Sequence, residues 1–215
     1  MQNFAQFLLF CALKGRVMKK NIAIFASGYG SNAENLIRFF AGRDSAQVAL
    51  VLTNKENAYV VNRARSLQVP CCVCPKEDWV TGERVLAVLQ EYHVDFIVLA
   101  GFLMRVPDLL LQVYPHRIVN IHPALLPKYG GKGMYGMRVH EAVVAAGERQ
   151  TGITIHYING QYDEGDIIAQ FMCNVLPEDS PEEVAQKVHV LEYAHYPVVI
   201  ARLVEEVSVG RPKES

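Results

Sequence analysis

Asn120 and His122 stand two residues apart at the end of an apolar run, Ile118-Val119-Asn120-Ile121-His122, which passes straight into Pro123-Ala124-Leu125-Leu126-Pro127. On an extended strand that spacing puts both side chains on one face. In an open α/β sheet the carboxyl end of a buried strand faces the ligand crevice. An amide donor beside an imidazole suits attack on a carbonyl, because together they can hold the oxyanion that forms. The same spacing also serves a turn-closing amide beside a hydrogen-bonded histidine. Asp163 lies in the acidic turn 159–166 and is a turn-former by composition. Placed near His122, it favours the imidazolium and raises its pKa above the reference of about 6.5.

The elements that must position these residues read as an α/β domain. Short apolar runs at 21–26, 48–53, 69–73 and 94–100 have the composition of doubly buried parallel strands. Between them, 33–40, 59–67 and 82–92 have helical spacing, as successive βαβ units require. The first strand ends in Ser27-Gly28-Tyr29-Gly30-Ser31-Asn32, a glycine-rich turn into a helix. Such a turn presents backbone N–H groups and a helix N-terminus to a phosphate, with Ser31 or Asn32 as the alternative helix cap. Gly28, Gly30 and Ala33 also satisfy a relaxed dinucleotide fingerprint, but the next strand ends at Asn54-Lys55, where a ribose-binding acid is expected. A phosphate without an adenosine ribose fits better.

The stretch 101–107 closes the fourth strand with an apolar tip that either packs or holds a flat ring. The loop 129–136 lacks the Gly-Lys-Ser/Thr ending of a nucleotide P-loop and leads into a helix at 137–146 as a flexible loop or a lid. A strand at 151–158, the acidic turn and a returning strand at 167–173 form a late hairpin, which predicts a mixed sheet. Ser180-Pro181-Glu182-Glu183 opens a helix that runs to about Arg202 and carries Glu192.

A chain of 215 residues that is 51% hydrophobic can bury a full core as one domain, and a net charge of -1 gives no support to a general nucleic-acid or membrane-surface binder. The five cysteines, three of them crowded into Cys71-Cys72-Val73-Cys74, fit neither a disulfide framework nor zinc spacing. They read as buried thiols in a reducing compartment, with no metal. The apolar leader at 1–17 is too short to span a bilayer and lacks the basic start of a secretory signal. It is expected to be an upstream extension of the reading frame or a helix added to the domain at 18–207, and 208–215 a frayed tail.

Taken together, Ser27-Gly28-Tyr29-Gly30-Ser31-Asn32, Leu99-Ala100-Gly101-Phe102, the segment from Asn120 to Tyr129, Asp163-Glu164-Gly165 and Glu192-Tyr193-Ala194-His195-Tyr196-Pro197 resemble the phosphoribosylglycinamide formyltransferases, within the folate-dependent formyltransferase superfamily. The resemblance extends from about Lys20 to Val204. It implies a Rossmann-like three-layer α/β/α fold with a mostly parallel sheet and a late antiparallel part. It also implies formyl transfer from 10-formyltetrahydrofolate to the amine of 5′-phosphoribosylglycinamide in purine (IMP) biosynthesis, with small-molecule partners only, in a cytoplasmic monomer or homodimer.

Carried over by position, the catalytic residues fall on Asn120, His122 and Asp163, and the phosphate loop on Gly30, Ser31 and Asn32. The ribose-binding carboxylate falls on Glu192. Folate contacts fall on Leu103, Met104, Arg105, Val106, Asn120 and Ile158. The sequence departs from the family at 76–79, where many members carry an arginine for the folate tail and this chain has none. The alternatives are methionyl-tRNA formyltransferase, which usually adds a C-terminal domain, formyltetrahydrofolate hydrolase, which usually adds an N-terminal one, and a dinucleotide-binding redox or sensor module.

Overall fold

The structure is a computed structural model and describes residues 19–208. The expected extension at 1–17, with Cys11, and the tail beyond Ser208 lie outside the described residues. Seven strands form one sheet in the order β3-β2-β1-β4-β5-β6-β7. They are β1 (Lys20–Phe25), β2 (Ala46–Thr53), β3 (Cys71–Val73), β4 (Phe96–Leu99), β5 (Ile118–His122), β6 (Gln150–Tyr157) and β7 (Ile167–Asn174). The first five run parallel; β6 pairs antiparallel with β5, and β7 with β6. This is the mostly parallel, late antiparallel sheet that the pattern predicts.

Side-chain alternation along the strands feeds two cores. Ile22 and Ile24 of β1 pack under α1 (Ser31–Phe40), α2 (Val60–Ser66), α6 (Met137–Ala145) and α7 (Pro181–Ser208). Ala23 and Phe25 face the opposite layer of α3 (Asp78–Thr81), α4 (Glu83–Glu91) and α5 (Asp108–Val113), where Phe25 meets Trp79 edge-on at 5.1 Å. Burial on both faces is what makes these strands continuous apolar runs. No helix among the described residues is long and apolar enough to cross a membrane.

Three details differ from expectation. The helices α3 and α5, of 4 and 6 residues, are too short to display a 3.6-residue period. Of the cysteines expected to be buried, Cys74 is, but Cys71, Cys72 and Cys173 are half-buried because β3 and β7 are the two edge strands. Helix α7 continues past Arg202 to Ser208, since Leu203 and Val204 still pack into the core; Ser208 thus belongs to the helix and not to a frayed tail.

Helix α7 also anchors the strand ends that build the site. Ser180 and Glu183 form a reciprocal cap at its start, the Glu183 N–H donating to Ser180 Oγ at 3.2 Å and the Ser180 N–H to Glu183 Oε2 at 2.8 Å. Further along, the fully buried Tyr196 donates its hydroxyl to the Leu99 carbonyl at 2.8 Å, with the Val119 carbonyl at 3.4 Å. These carbonyls sit at the end of β4 and immediately before Asn120. Tyr196→Phe should therefore cost about 1 kcal/mol and lower the melting temperature by about 2–4 °C. A thermal melt identical to wild type would mean that the hydroxyl does not hold helix to sheet.

Candidate active site

The chain leaves β1 toward β2 on one side and reaches β4 on the other, which opens a crevice at the carboxyl ends of these strands. A cavity of about 700 Å³ occupies it. Gly30, Ser31, Asn32 and Glu192 line it, with Asn120, His122 and Asp163, and with Leu103, Met104, Arg105, Val106 and Ile158. Every expected site residue thus borders the same space.

After the turn that follows β1, α1 starts without a side-chain cap. The cap position is Gly30, in a left-handed conformation with φ 76, and not Ser31 or Asn32. The first intrahelical bond runs from the Glu34 N–H to the Gly30 carbonyl, so the N–H groups before it are left for a ligand, with the positive end of the helix behind them. A Cβ on Gly30 would meet Val60 Cγ2 at 2.5 Å, so glycine is required here by its φ and by the packing of α2. The Asn32 side chain donates to Glu192 Oε2 at 2.9 Å, which His189 Nδ1 also meets at 2.7 Å. The bond to Glu192 raises the His189 pKa, burial notwithstanding.

Beside β5, the antiparallel strand β6 supplies groups that spacing along the chain does not reveal. Its register sets His156 opposite Asn120 and Thr154 opposite His122. His156 is fully buried; its Nδ1 donates to the Tyr157 carbonyl at 2.9 Å, leaving Nε2 to accept from the Asn120 amide at 3.2 Å. The second Asn120 N–H remains for a ligand. Thr154 donates to the Ala124 carbonyl at 2.7 Å and accepts from the Leu126 N–H at 2.9 Å, which fixes the turn after His122.

His122 is buried, with Nε2 donating to the Tyr129 carbonyl at 2.7 Å and Nδ1 3.4 Å from Asp163 Oδ2. Asp163 adopts φ 58 and accepts from the Gly131 N–H at 2.9 Å. Gly130 permits this closure, since a Cβ there would lie 3.3 Å from Asp163 Cβ and 2.5 Å from Leu126 Cδ2. Burial would raise the Asp163 carboxyl, but the His156 ring, with Nε2 3.6 Å from Oδ1, the charge of His122 and the Gly131 N–H outweigh it and hold its pKa below the usual carboxylate value.

The expected rise in the His122 pKa is not what the structure gives. Burial pushes it below 6.5 and outweighs the upward pull of Asp163 and of the Tyr129 carbonyl. Asp163 acts in the expected sense, against a larger desolvation.

In the loop after β4, the Leu103 N–H donates to Ser27 Oγ at 3.0 Å, and the Ser27 hydroxyl donates to Asn54 Oδ1 at 2.7 Å. The position where a dinucleotide enzyme needs its ribose acid is thus spent on holding the 101–107 loop. Arg105 donates to the Gly160 carbonyl at 3.2 Å and pairs with Asp108 at 2.6 Å. Within 76–79, Trp79 is buried and donates to the Cys74 carbonyl, so that segment serves the core.

Residues missed by sequence reasoning are Thr154, His156, His140 and His189. The first two carried a signal, as polar residues alternating with apolar ones along a strand; His189 carried a weaker one, three residues before Glu192 on a helix.

Residues 20–200 match the formyl transferase family. The chain is 42% identical over 194 residues to the chloroplastic phosphoribosylglycinamide formyltransferase of Arabidopsis thaliana, a match that covers 87% of this chain and 66% of that protein. The chain therefore spans just under two thirds of that relative's length. It is 36% identical over 186 residues to the phosphoribosylglycinamide formyltransferase of Haemophilus influenzae, covering 84% and 85%. The crystal structure of the phosphoribosylglycinamide formyltransferase from Bacillus halodurans resembles it with a TM-score of 0.78 at 38% identity, covering 87% of this chain and 96% of that one. A mostly parallel sheet with this cavity at its switch point, matched over nearly the whole described length, makes this chain a member of the formyl transferase family.

Proposed function

We propose that the chain transfers the formyl group of 10-formyltetrahydrofolate to the amine of 5′-phosphoribosylglycinamide, a step of purine (IMP) biosynthesis. The observation that carries this reading is the buried His122 imidazole, held between the Tyr129 carbonyl and the Asp163 carboxylate beside Asn120. An uncapped helix N-terminus in the same cavity supplies the phosphate site. Glu192, oriented by Asn32 and His189, is placed to take ribose hydroxyls. The apolar wall of Leu103, Met104, Val106 and Ile158, with the loop's backbone, suits a flat heterocycle, and Arg105 lies in the same stretch. A reducing compartment such as the cytoplasm suits the free thiols of Cys71, Cys72, Cys74 and Cys173.

The chemistry follows from the hydrogen-bond roles. A carbonyl only accepts, so Nε2 of His122 carries the hydrogen and Nδ1 of the neutral ring is the free base. The glycyl amine attacks the formyl carbon, forming the C–N bond and moving the carbonyl electron pair to oxygen. Its proton passes to Nδ1, and the imidazolium is received by Asp163. The free Asn120 N–H donates to the oxyanion, and the positive charge of the nearby imidazolium stabilises it. As the bond to folate N10 breaks, the imidazolium returns the proton to that nitrogen. One proton has moved from amine to N10, and the enzyme is restored.

Two outcomes are expected. Because neutral His122 is the working base, turnover should fall as pH drops through its depressed pKa, on which Asp163, His156 and Glu192 also act. Asp163→Asn removes an upward pull, so the acid limb should shift to lower pH while the plateau drops by a factor on the order of a hundred. NMR titration of the His122 ring should move in the same direction. An unmoved ring pKa and acid limb would contradict the pairing.

At the start of α1, Gly30→Ala adds backbone strain on the order of 1–3 kcal/mol and a contact with Val60. Calorimetry should show phosphoribosylglycinamide binding weakened by about tenfold or more, with the affinity for a folate analogue retained. Equal loss of both ligands would contradict a local phosphate site.

A further inference from the structure

His140, in the first turn of α6, is 3% exposed and lines the cavity, yet it makes no hydrogen bond, and its Nδ1 is fully buried without a partner. The other two imidazoles that line the cavity are committed, His122 to Tyr129 and Asp163 and His189 to Glu192. A buried imidazole nitrogen without a hydrogen-bond partner is destabilising, and such a group in a native fold calls for an explanation. It shares the cavity lining with His189 and Glu192 and with His122, whose charges act on it. Burial, with the charge of His189, lowers its pKa, so the ring is neutral at neutral pH and offers one donor and one acceptor.

Resting on the formyl-transfer reading, we propose that His140 is the positioning residue for the glycinamide arm, its ring N–H donating to the amide carbonyl that joins ribose and glycyl amine. That amide is the polar group of the substrate between phosphoribose and amine, and it loses its water on entering the cavity. Once held, it aims the amine at the formyl carbon, and small errors of aim cost large factors in rate. His140 does not itself exchange a proton with the substrate.

The test compares two ligands by calorimetry on the full chain: phosphoribosylglycinamide, which carries the arm, and ribose 5-phosphate, which does not. In His140→Ala the affinity for phosphoribosylglycinamide should fall by about ten- to a hundredfold, while that for ribose 5-phosphate stays as in wild type. His140→Gln, which keeps a donor, should recover part of the loss. If His140→Ala fails to fold, His140→Phe, which fills the ring's volume without a polar atom, decides by the same ratio. Unchanged affinity for phosphoribosylglycinamide, or an equal loss of both ligands in a folded variant, would overturn the inference alone. A wild type that does not bind phosphoribosylglycinamide would overturn the formyl-transfer reading and this inference with it.

Discussion

An imidazole that must change charge within a reaction has to be buried deeply enough to rest neutral, yet must keep an acceptor in place for the charged form. At His122 these demands are met by opposed forces. Burial lowers the pKa, and the Asp163 carboxylate pulls it back up without prevailing. The Tyr129 carbonyl fixes which nitrogen keeps its hydrogen. If His122 were more exposed, the ring would gain charge at rest; in the proposed mechanism, without Asp163 a proton taken from the amine would have nowhere stable to sit. The remainder of the site is arranged around this balance.

The change of strand direction in the sheet makes the arrangement possible. Its parallel half delivers the start of α1 and the end of β5, the two features that α/β topology places at a switch point. Its antiparallel half brings in β6, whose register sets His156 and Thr154 against Asn120 and His122, and whose closing turn carries Asp163. Helix α7 binds the halves together, through Glu192 to Asn32 in the first turn of α1 and through Tyr196 to the carbonyls of Leu99 in β4 and Val119 in β5. Residues from distant parts of the chain thus share one rigid wall.

The strands of the parallel half were legible because double burial writes itself as an apolar run, and the turn at Ser27–Asn32 because only glycine fits its backbone. Asn120 and His122 were legible from their two-residue spacing, while Asp163 drew notice chiefly through the family resemblance. The sign of the His122 shift was not legible, since residue types announce a carboxylate but not how completely the surrounding loop excludes water. His156 was misread because a histidine within an alternating strand reads as an exposed polar position, whereas β6 is buried on both faces. His140 was hidden for a related reason: on a helix, a buried imidazole facing a cavity has the same spacing as one facing the core.

The most direct test of the central claim is to incubate the purified chain with 10-formyltetrahydrofolate and phosphoribosylglycinamide and to quantify the products together. Formylated nucleotide and tetrahydrofolate should appear one for one, with little release of formate, because the amine and not water attacks the formyl carbon. Formate production that does not require the nucleotide, or no consumption of either substrate by folded protein, would contradict the account.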